Sequence, residues 1–281
     1  MDEDKGLRSY KTMRIRRLAW AGIEIECAGS TLVIDLLQDT SRTRSMRDWV
    51  GLPGPSRPGR TAVALVTHLH ADHADPVSLA AALEPGGLVL RPAPATGTPD
   101  ENVWTTAAES AFIEQNLRCQ IMREWEELHV GPFRIAATSA VDGLGDPQVN
   151  WVIEAKGFRI FHGGDTMFHG AWWRIAKRYG PFDVAFLPVN GAIVNFPHLQ
   201  PASPLPAAMT PREAAVASRI LGARLTVPMH YGLHNPPAYI EVNDPLGDFE
   251  SEAKIAGIAI RVLASGESLK LEKPVQEAHR D

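Results

Sequence analysis

The stretch that most constrains this chain is Ala62-Val63-Ala64-Leu65-Val66-Thr67-His68-Leu69-His70-Ala71-Asp72-His73-Ala74-Asp75-Pro76. An apolar, strand-like run ends abruptly in the spacing H-x-H-x-D-H. A hydrophobic core has no use for that ending. A buried strand that delivers its C-terminal loop into a site does. His68, His70, Asp72 and His73 present three imidazoles and a carboxylate within six residues, a ligand set suited to zinc and its neighbours.

The chain has 281 residues, of which 44% are hydrophobic and 22% charged. That is enough to bury a core without disulfides or a structural ion, so a metal here is expected to be catalytic. The net charge is -5 and the basic residues are scattered, with no stripe to track a nucleic acid. The Met13–Arg17 cluster reads as a strand face. Cys27 and Cys119 make no disulfide framework, which points to a reducing cytoplasm. The polar start carries no apolar signal core, and no stretch approaches a membrane span.

Residues 1–12 are expected to be a flexible leader, 13–272 one domain, and 273–281 a polar tail. Strands are predicted at Met13–Trp20, Ile23–Cys27, Thr31–Leu36, Ala62–Thr67 and Gly86–Arg91. Hairpins follow at Glu127–Val130/Phe133–Ser139 and Val149–Ala155/Arg159–Phe161. Further strands are expected at Asp183–Val189, Leu225–Met229, Ile258–Leu263 and Ser268–Leu271. Helices are predicted from Pro76 to Leu83, Ala107–Asn116, Phe168–Tyr179, Pro211–Leu221 and Pro245–Ala256. Thr210-Pro211-Arg212-Glu213 reads as a capping box with proline in the first turn. Residues 38–60 form a long arginine- and proline-rich loop with a short helix near Ser45–Val50, and Asn190–Met209 is a proline-rich loop. The element order fits an α/β class, two sheets sandwiched between helices.

Two more strand ends carry metal-type residues, Asp165 in His162-Gly163-Gly164-Asp165-Thr166 and His230 in Val227-Pro228-Met229-His230-Tyr231-Gly232. Strands lying side by side would bring all of these to one edge. Together with Thr67–His73, these motifs resemble the metallo-β-lactamase superfamily, in its ascorbate-6-phosphate-lactonase-like (UlaG-like) branch of metal-dependent hydrolases. The resemblance covers about residues 13–271 and implies the four-layer αβ/βα sandwich of two mixed sheets.

The resemblance also implies roles. His68 and His70 would hold one metal, Asp72, His73 and His230 a second, and Asp165 would bridge them. Asp72 would also orient or deprotonate the attacking water. A carboxylate bridge of this kind keeps two cations about 3.5–4 Å apart. Gly163 and Gly164 would let the backbone pass where side chains would crowd the metals. One position departs from the pattern. The family places a third histidine for the first metal in the loop after Phe133–Ser139, and here that slot holds Asp142. Asp142-Gly143 is also simply a good turn, with Asp146 as a weaker substitute. Asp35, at the end of its strand, is either a local cap or a partner for a ligand histidine.

Asn190, His198, Tyr231 and His234 are assigned to the substrate pocket, with His169 as a further contact. His162 reads as a packed histidine, His129 and His279 as surface, and Trp151, Trp172 and Trp173 as core or pocket wall. The expected cofactors are two divalent ions, zinc or manganese, with iron or a single ion as alternatives. The expected activity is hydrolysis by a metal-bound hydroxide of a small anionic ester, lactone or amide. The alternatives are a phosphodiesterase on the same site, or a non-hydrolytic metal-binding module with a degenerate first site. The arginines of residues 42–60, Arg47 among them, point to an anionic group on the substrate. Expected partners are a small molecule and, in an open question, a second copy of the chain, with no nucleic acid and no membrane.

Overall fold

The computed structural model describes residues 10–275. The first sheet opens with β1 (Tyr10–Arg17), β2 (Ile23–Cys27), β3 (Ser30–Ile34) and β4 (Thr61–Leu65). Helix α1 (Pro76–Ala82), β5 (Leu83–Arg91), α2 (Val103–Glu114) and β6 (Cys119–Ile121) follow. The second sheet is built from β7 (Glu127–Val130), β8 (Phe133–Ser139), β9 (Val149–Ala155), β10 (Phe158–His162), β11 (Val184–Pro188) and β13 (Thr226–Met229). Helix α3 (Trp172–Tyr179) separates β10 from β11, and the short β12 (Ile193–Val194) and α4 (Pro211–Leu221) separate β11 from β13. The chain ends with β14 (Tyr239–Ile240), α5 (Pro245–Ala256) and β15 (Ser268–Pro274), and β15 returns to pair with β1.

Side-chain alternation explains the layering. In β4, Val63 and Leu65 face the core between the sheets, while Ala64 joins the outer core under α1 and α2. A strand covered on both faces reads as a continuous apolar run. Ile15, Ile25 and Leu32 of the first sheet meet Ile135, Trp151 and Phe186 of the second in the same inner core. Trp172, Tyr179, Leu221 and Phe249 cover the outer face of the second sheet with α3, α4 and α5. The result is the expected four-layer sandwich.

Topology then gathers the site. β3, β4, β5 and β6 run parallel, as do β10, β11 and β13. Their C-terminal ends therefore open on one edge of each sheet. Asp35, His68, Asp165, Asn190 and His230 all lie just beyond such ends.

Several boundaries differ from the sequence reading. β1 begins at Tyr10, inside the expected leader, because it pairs with β15, which itself runs to Pro274. Helix α2 starts at Val103, and α3 only at Trp172, since His169 accepts a hydrogen bond from Ala171 N in the turn before it. Ile258–Leu263 is no strand but an isolated bridge from Ile260 to Thr226. The helix near Ser45–Val50 shrinks to one 3-10 turn, Arg44–Met46. Strands β6, β12 and β14 were not foreseen. The capping box on α4 is formed, with Thr210 Oγ1 accepting from Glu213 N and Gly222 closing the helix in the left-handed region. Among the described residues no helix is long and apolar enough to cross a membrane. His279 lies outside the described residues.

Candidate metal centre

The histidine loop is anchored by its successor. Asp75 caps α1 by accepting from Ser78 N, and its other oxygen accepts from Gln38 N and Asp39 N. The loop is thus tied both to a helix start and to the beginning of the arginine-rich segment.

Two clusters form. His68, His70, Asp142 and Asp165 each offer an atom such that all lie within 4.8 Å of one another, and Asp72, His73 and His230 form a second such group. Asp165 Oδ2 stands 3.5 Å from His68 Nε2 and 3.7 Å from His230 Nε2, so it faces both clusters. The geometry therefore places Asp142 with His68 and His70.

Hydrogen bonds fix which ring nitrogens are free. Thr67 Oγ1 donates to Asp35 Oδ2 at 2.7 Å, so it must accept from His68 Nδ1 at 3.1 Å. His73 Nδ1 donates to the same Asp35 oxygen at 2.8 Å. His70 Nε2 donates to Asp146 Oδ2 at 2.7 Å. These bonds leave lone pairs on His68 Nε2, His70 Nδ1 and His73 Nε2, aimed where a cation would use them. His68 Nε2, His73 Nε2, both nitrogens of His230 and Asp142 Oδ1 are buried with no hydrogen-bond partner among the described residues. Orphaned buried polar atoms are costly. These five atoms belong to four side chains, all ligand types, and they fit a divalent ion in each cluster.

The electrostatics agree. Burial holds the imidazoles of His68 and His230 well below their usual range, reinforced by the neighbouring histidines. Both are therefore neutral, as ligands must be. Burial also pulls on His73, but Asp72 and Asp35 outweigh it and push the ring up to about 10, so without a metal Nε2 carries a proton that a bound cation would displace. Burial lifts Asp165 to about 7 despite the nearby histidines, and it raises Asp142 against the pull of His70. These carboxylates crowd together beside the histidines, and a divalent ion held by His68, His70 and Asp142 or by Asp72, His73 and His230 would supply positive charge to balance them.

Three residues at the site hold left-handed backbone without being glycine, Trp20 (φ 57), Asp35 (φ 46) and His230 (φ 57). Such strain persists where tertiary contacts over-determine it. Trp20 shows how. Its indole N–H donates to Asp72 Oδ2 at 3.0 Å, its ring lies 4.1 Å from that of His230, and its carbonyl accepts from His230 N. Gly164, at φ 56, is required for a different reason than crowding of metals. A Cβ there would stand 2.9–3.1 Å from the Thr67 side chain.

A cavity of about 850 Å³ opens over both clusters and exposes His70, Asp72, Asp165 and His230. Of the four expected pocket residues only His198 lines it. Asn190 is fully buried one step behind, donating to the hydroxyl of Tyr239, which does line the cavity. The Tyr231 hydroxyl is taken by Arg17, whose guanidinium also lies over its ring. His234 is exposed outside the cavity, and His169 stacks on Trp172 instead. His162 is packed as expected, donating to Ala21 O. His129 is exposed, Trp151 and Trp172 are core, and Trp173 is a surface residue.

Sequence reading missed Trp20, Trp104, Phe196, Tyr239 and Gln148. With its amide oriented to suit its neighbours, Gln148 donates to Asp165 Oδ1 at 2.7 Å. None of these residues sits in a motif, and only the fold brings them to the centre.

Two sheets, outer helices and paired His/Asp clusters at the strand ends define a protein of the metallo-β-lactamase fold with a candidate metal centre. The family model for the beta-lactamase superfamily domain matches residues 32–231, and the chain belongs to that superfamily. It is 30% identical over 220 residues to a UPF0173 metal-dependent hydrolase of Rubrobacter xylanophilus, covering 73% of this chain and 77% of that one. It is 27% identical over 268 residues to one of Methanoculleus marisnigri, covering 91% and 96%. Among solved structures, the metallo hydrolase Igni18 of Ignicoccus hospitalis shares the fold, with a TM-score of 0.64 at 20% identity over 93% of this chain and 99% of that one.

Asp142→Ala is expected to leave the second cluster loaded while weakening metal binding at the first by about 100-fold, as loss of one charged ligand from a buried site does. Metal titration followed by calorimetry reads the two sites separately. Two unchanged binding steps would show that Asp142 is only a turn residue.

Proposed function

We propose that the protein hydrolyses a small anionic ester or lactone, with amides as related substrates, using two divalent ions, zinc or manganese. His68, His70 and Asp142 would hold one ion, Asp72, His73 and His230 the other, and Asp165 would contact both. The observation that carries this reading is the orientation of orphaned ligand atoms in two adjacent clusters beneath one cavity. Ions bound there would polarise the acyl oxygen and lower the pKa of water.

The chain's own residues supply the rest. Asp72 lines the cavity and is fixed at Oδ2 by Trp20, so its carboxylate can orient the attacking water and accept its proton. The acyl–oxygen bond breaks as water adds, and the proton passes to the leaving alcohol. Val103, Trp104 and Leu144 line one side of the cavity with apolar surface, which would shed water when a substrate covers it. The Asp142 oxygen left unpartnered in the first cluster favours a complete site over a degenerate one. Both cysteines are free, which is compatible with the cytoplasmic location we assign.

The test is turnover of 4-nitrophenyl acetate, γ-butyrolactone and bis(4-nitrophenyl) phosphate by protein loaded with zinc or manganese, with metal content measured in parallel. Ester or lactone turnover that is lost with a chelator and restored by metal is the expected result. Turnover of the phosphodiester alone, or of none of the three by fully loaded protein, would overturn the reading.

A further inference from the structure

Two walls of the cavity are built independently of the metal ligands. One is aromatic. The Trp104 ring stands edge-on to His70 at 4.7 Å, and beyond it lie Phe196 at 5.1 Å and His198 at 4.6 Å. This wall starts at the first cluster and leads away from it. The other wall is the segment 42–45, which lines the same cavity.

That segment is held in place. Its root is tied to Asp75 through Gln38 N and Asp39 N. Its far end is tied through Trp49, whose carbonyl accepts from Thr40 Oγ1 and whose ring packs on Trp20 at 5.7 Å. Trp20 in turn packs on His230. The arginine segment is therefore registered to the second cluster, as the aromatic wall is to the first.

Within this segment, Arg42 Nη1 and Thr43 Oγ1 are shielded from solvent and have no hydrogen-bond partner among the described residues. Neither Arg42 nor Arg44 forms an ion pair among the described residues, whereas Arg57 of the same loop is engaged with Glu26. Arg47, the residue singled out from the sequence, is exposed and does not line the cavity. Apart from Asp72 and Asp165 at the metal clusters, the charged residues lining the cavity are Arg42 and Arg44. A desolvated guanidinium nitrogen without an acceptor is unfavourable unless a ligand provides one.

We infer that Arg42 and Thr43 form a subsite for a carboxylate set apart from the scissile bond, while Trp104, Phe196 and His198 receive a flat apolar body. The substrate is then an amphiphilic ester or lactone with a ring or hydrocarbon body and one remote carboxylate. The Arg42 guanidinium and the Thr43 hydroxyl, on residues that line the cavity, can each donate to a carboxylate oxygen once a side-chain rotation exposes them. This inference rests on the proposed hydrolase reading for the word ester, but not for the anion.

Two assays separate those dependencies. The first compares mono(4-nitrophenyl) glutarate with 4-nitrophenyl acetate on metal-loaded protein. The second measures binding of 4-phenylbutyrate against 4-phenylbutanamide by calorimetry. The carboxylate ester is expected to be preferred about 10- to 100-fold in kcat/KM, in line with a charge-assisted hydrogen bond. Arg42→Ala should bring that ratio close to one and weaken 4-phenylbutyrate at least about tenfold, with metal content and melting unchanged. Arg42→Gln, which keeps the packing, serves if the alanine variant is poorly folded, and Thr43→Val should give a smaller loss in the same direction. A ratio near one in the wild type, or a ratio and an affinity that survive both Arg42 variants, would overturn the subsite. If no ester is turned over but 4-phenylbutyrate binding depends on Arg42, the ester reading falls and the anion subsite stands.

Discussion

Asp165→Asn is expected to reduce kcat/KM by about 1000-fold or more, the scale of several kcal/mol of lost transition-state stabilisation, and to lower bound metal below two equivalents. The basis is position. Among the described residues, Asp165 is the carboxylate that stands between the clusters, 3.5 Å from His68 Nε2 and 3.7 Å from His230 Nε2. Asparagine keeps the shape and can still accept from Gln148, but it removes the charge. Its neutral amide cannot balance two cations, and its N–H group would point a donor at a ligand position. The apo fold should survive, because burial penalises the Asp165 charge in the first place. Loss of metal and turnover with an unchanged apo melting temperature is the signature. A variant with two equivalents of metal and wild-type turnover would remove Asp165 from the centre.

Much of this candidate site is visible in the sequence because its candidate ligands sit at strand ends. An apolar run such as Ala62–Val66 announces its own termination, and His68, His70, Asp72 and His73 fill the loop that follows. Asp165 and His230 repeat that grammar at β10 and β13, and parallel pairing does the rest. Asp142 is harder to read, since Asp-Gly is a turn in most settings, and it is the unpartnered Oδ1 inside the first cluster that makes it a candidate ligand. The pocket was largely illegible. Tyr231 and His234 adjoin a ligand in sequence, yet the left-handed backbone at His230 turns the chain away, so Tyr231 meets Arg17 and His234 meets solvent. Trp104 and Phe196 reach the cavity from α2 and from the loop after β12, segments that carry none of the candidate metal ligands. Nearness along the chain predicts ligands, which come in motifs, better than pocket walls, which come from loops of separate origin.

Asp35 lies at a strand end like the candidate ligands, but it acts through them. One buried carboxylate serves both clusters. It accepts from Thr67 N at 2.8 Å, from Thr67 Oγ1 at 2.7 Å and from His73 Nδ1 at 2.8 Å. Through Thr67 it also sets the proton position on His68. Asp35→Ala leaves these donors in a site with no exposure to water. The expected cost is about 3–5 kcal/mol of stability, a fall in melting temperature on the order of 10 °C. Replacing the left-handed aspartate adds to it, because alanine tolerates that conformation less well. Metal affinity should fall about 10- to 100-fold at both clusters, as loss of a carboxylate that orients ligand histidines does. That double loss separates Asp35 from Asp142, whose removal touches the first cluster alone. The check is a melting curve on metal-free protein together with a two-site metal titration. If Asp35→Ala is destabilised while both affinities stay at wild-type values, Asp35 is a strand-end cap only, and the histidines are oriented by packing.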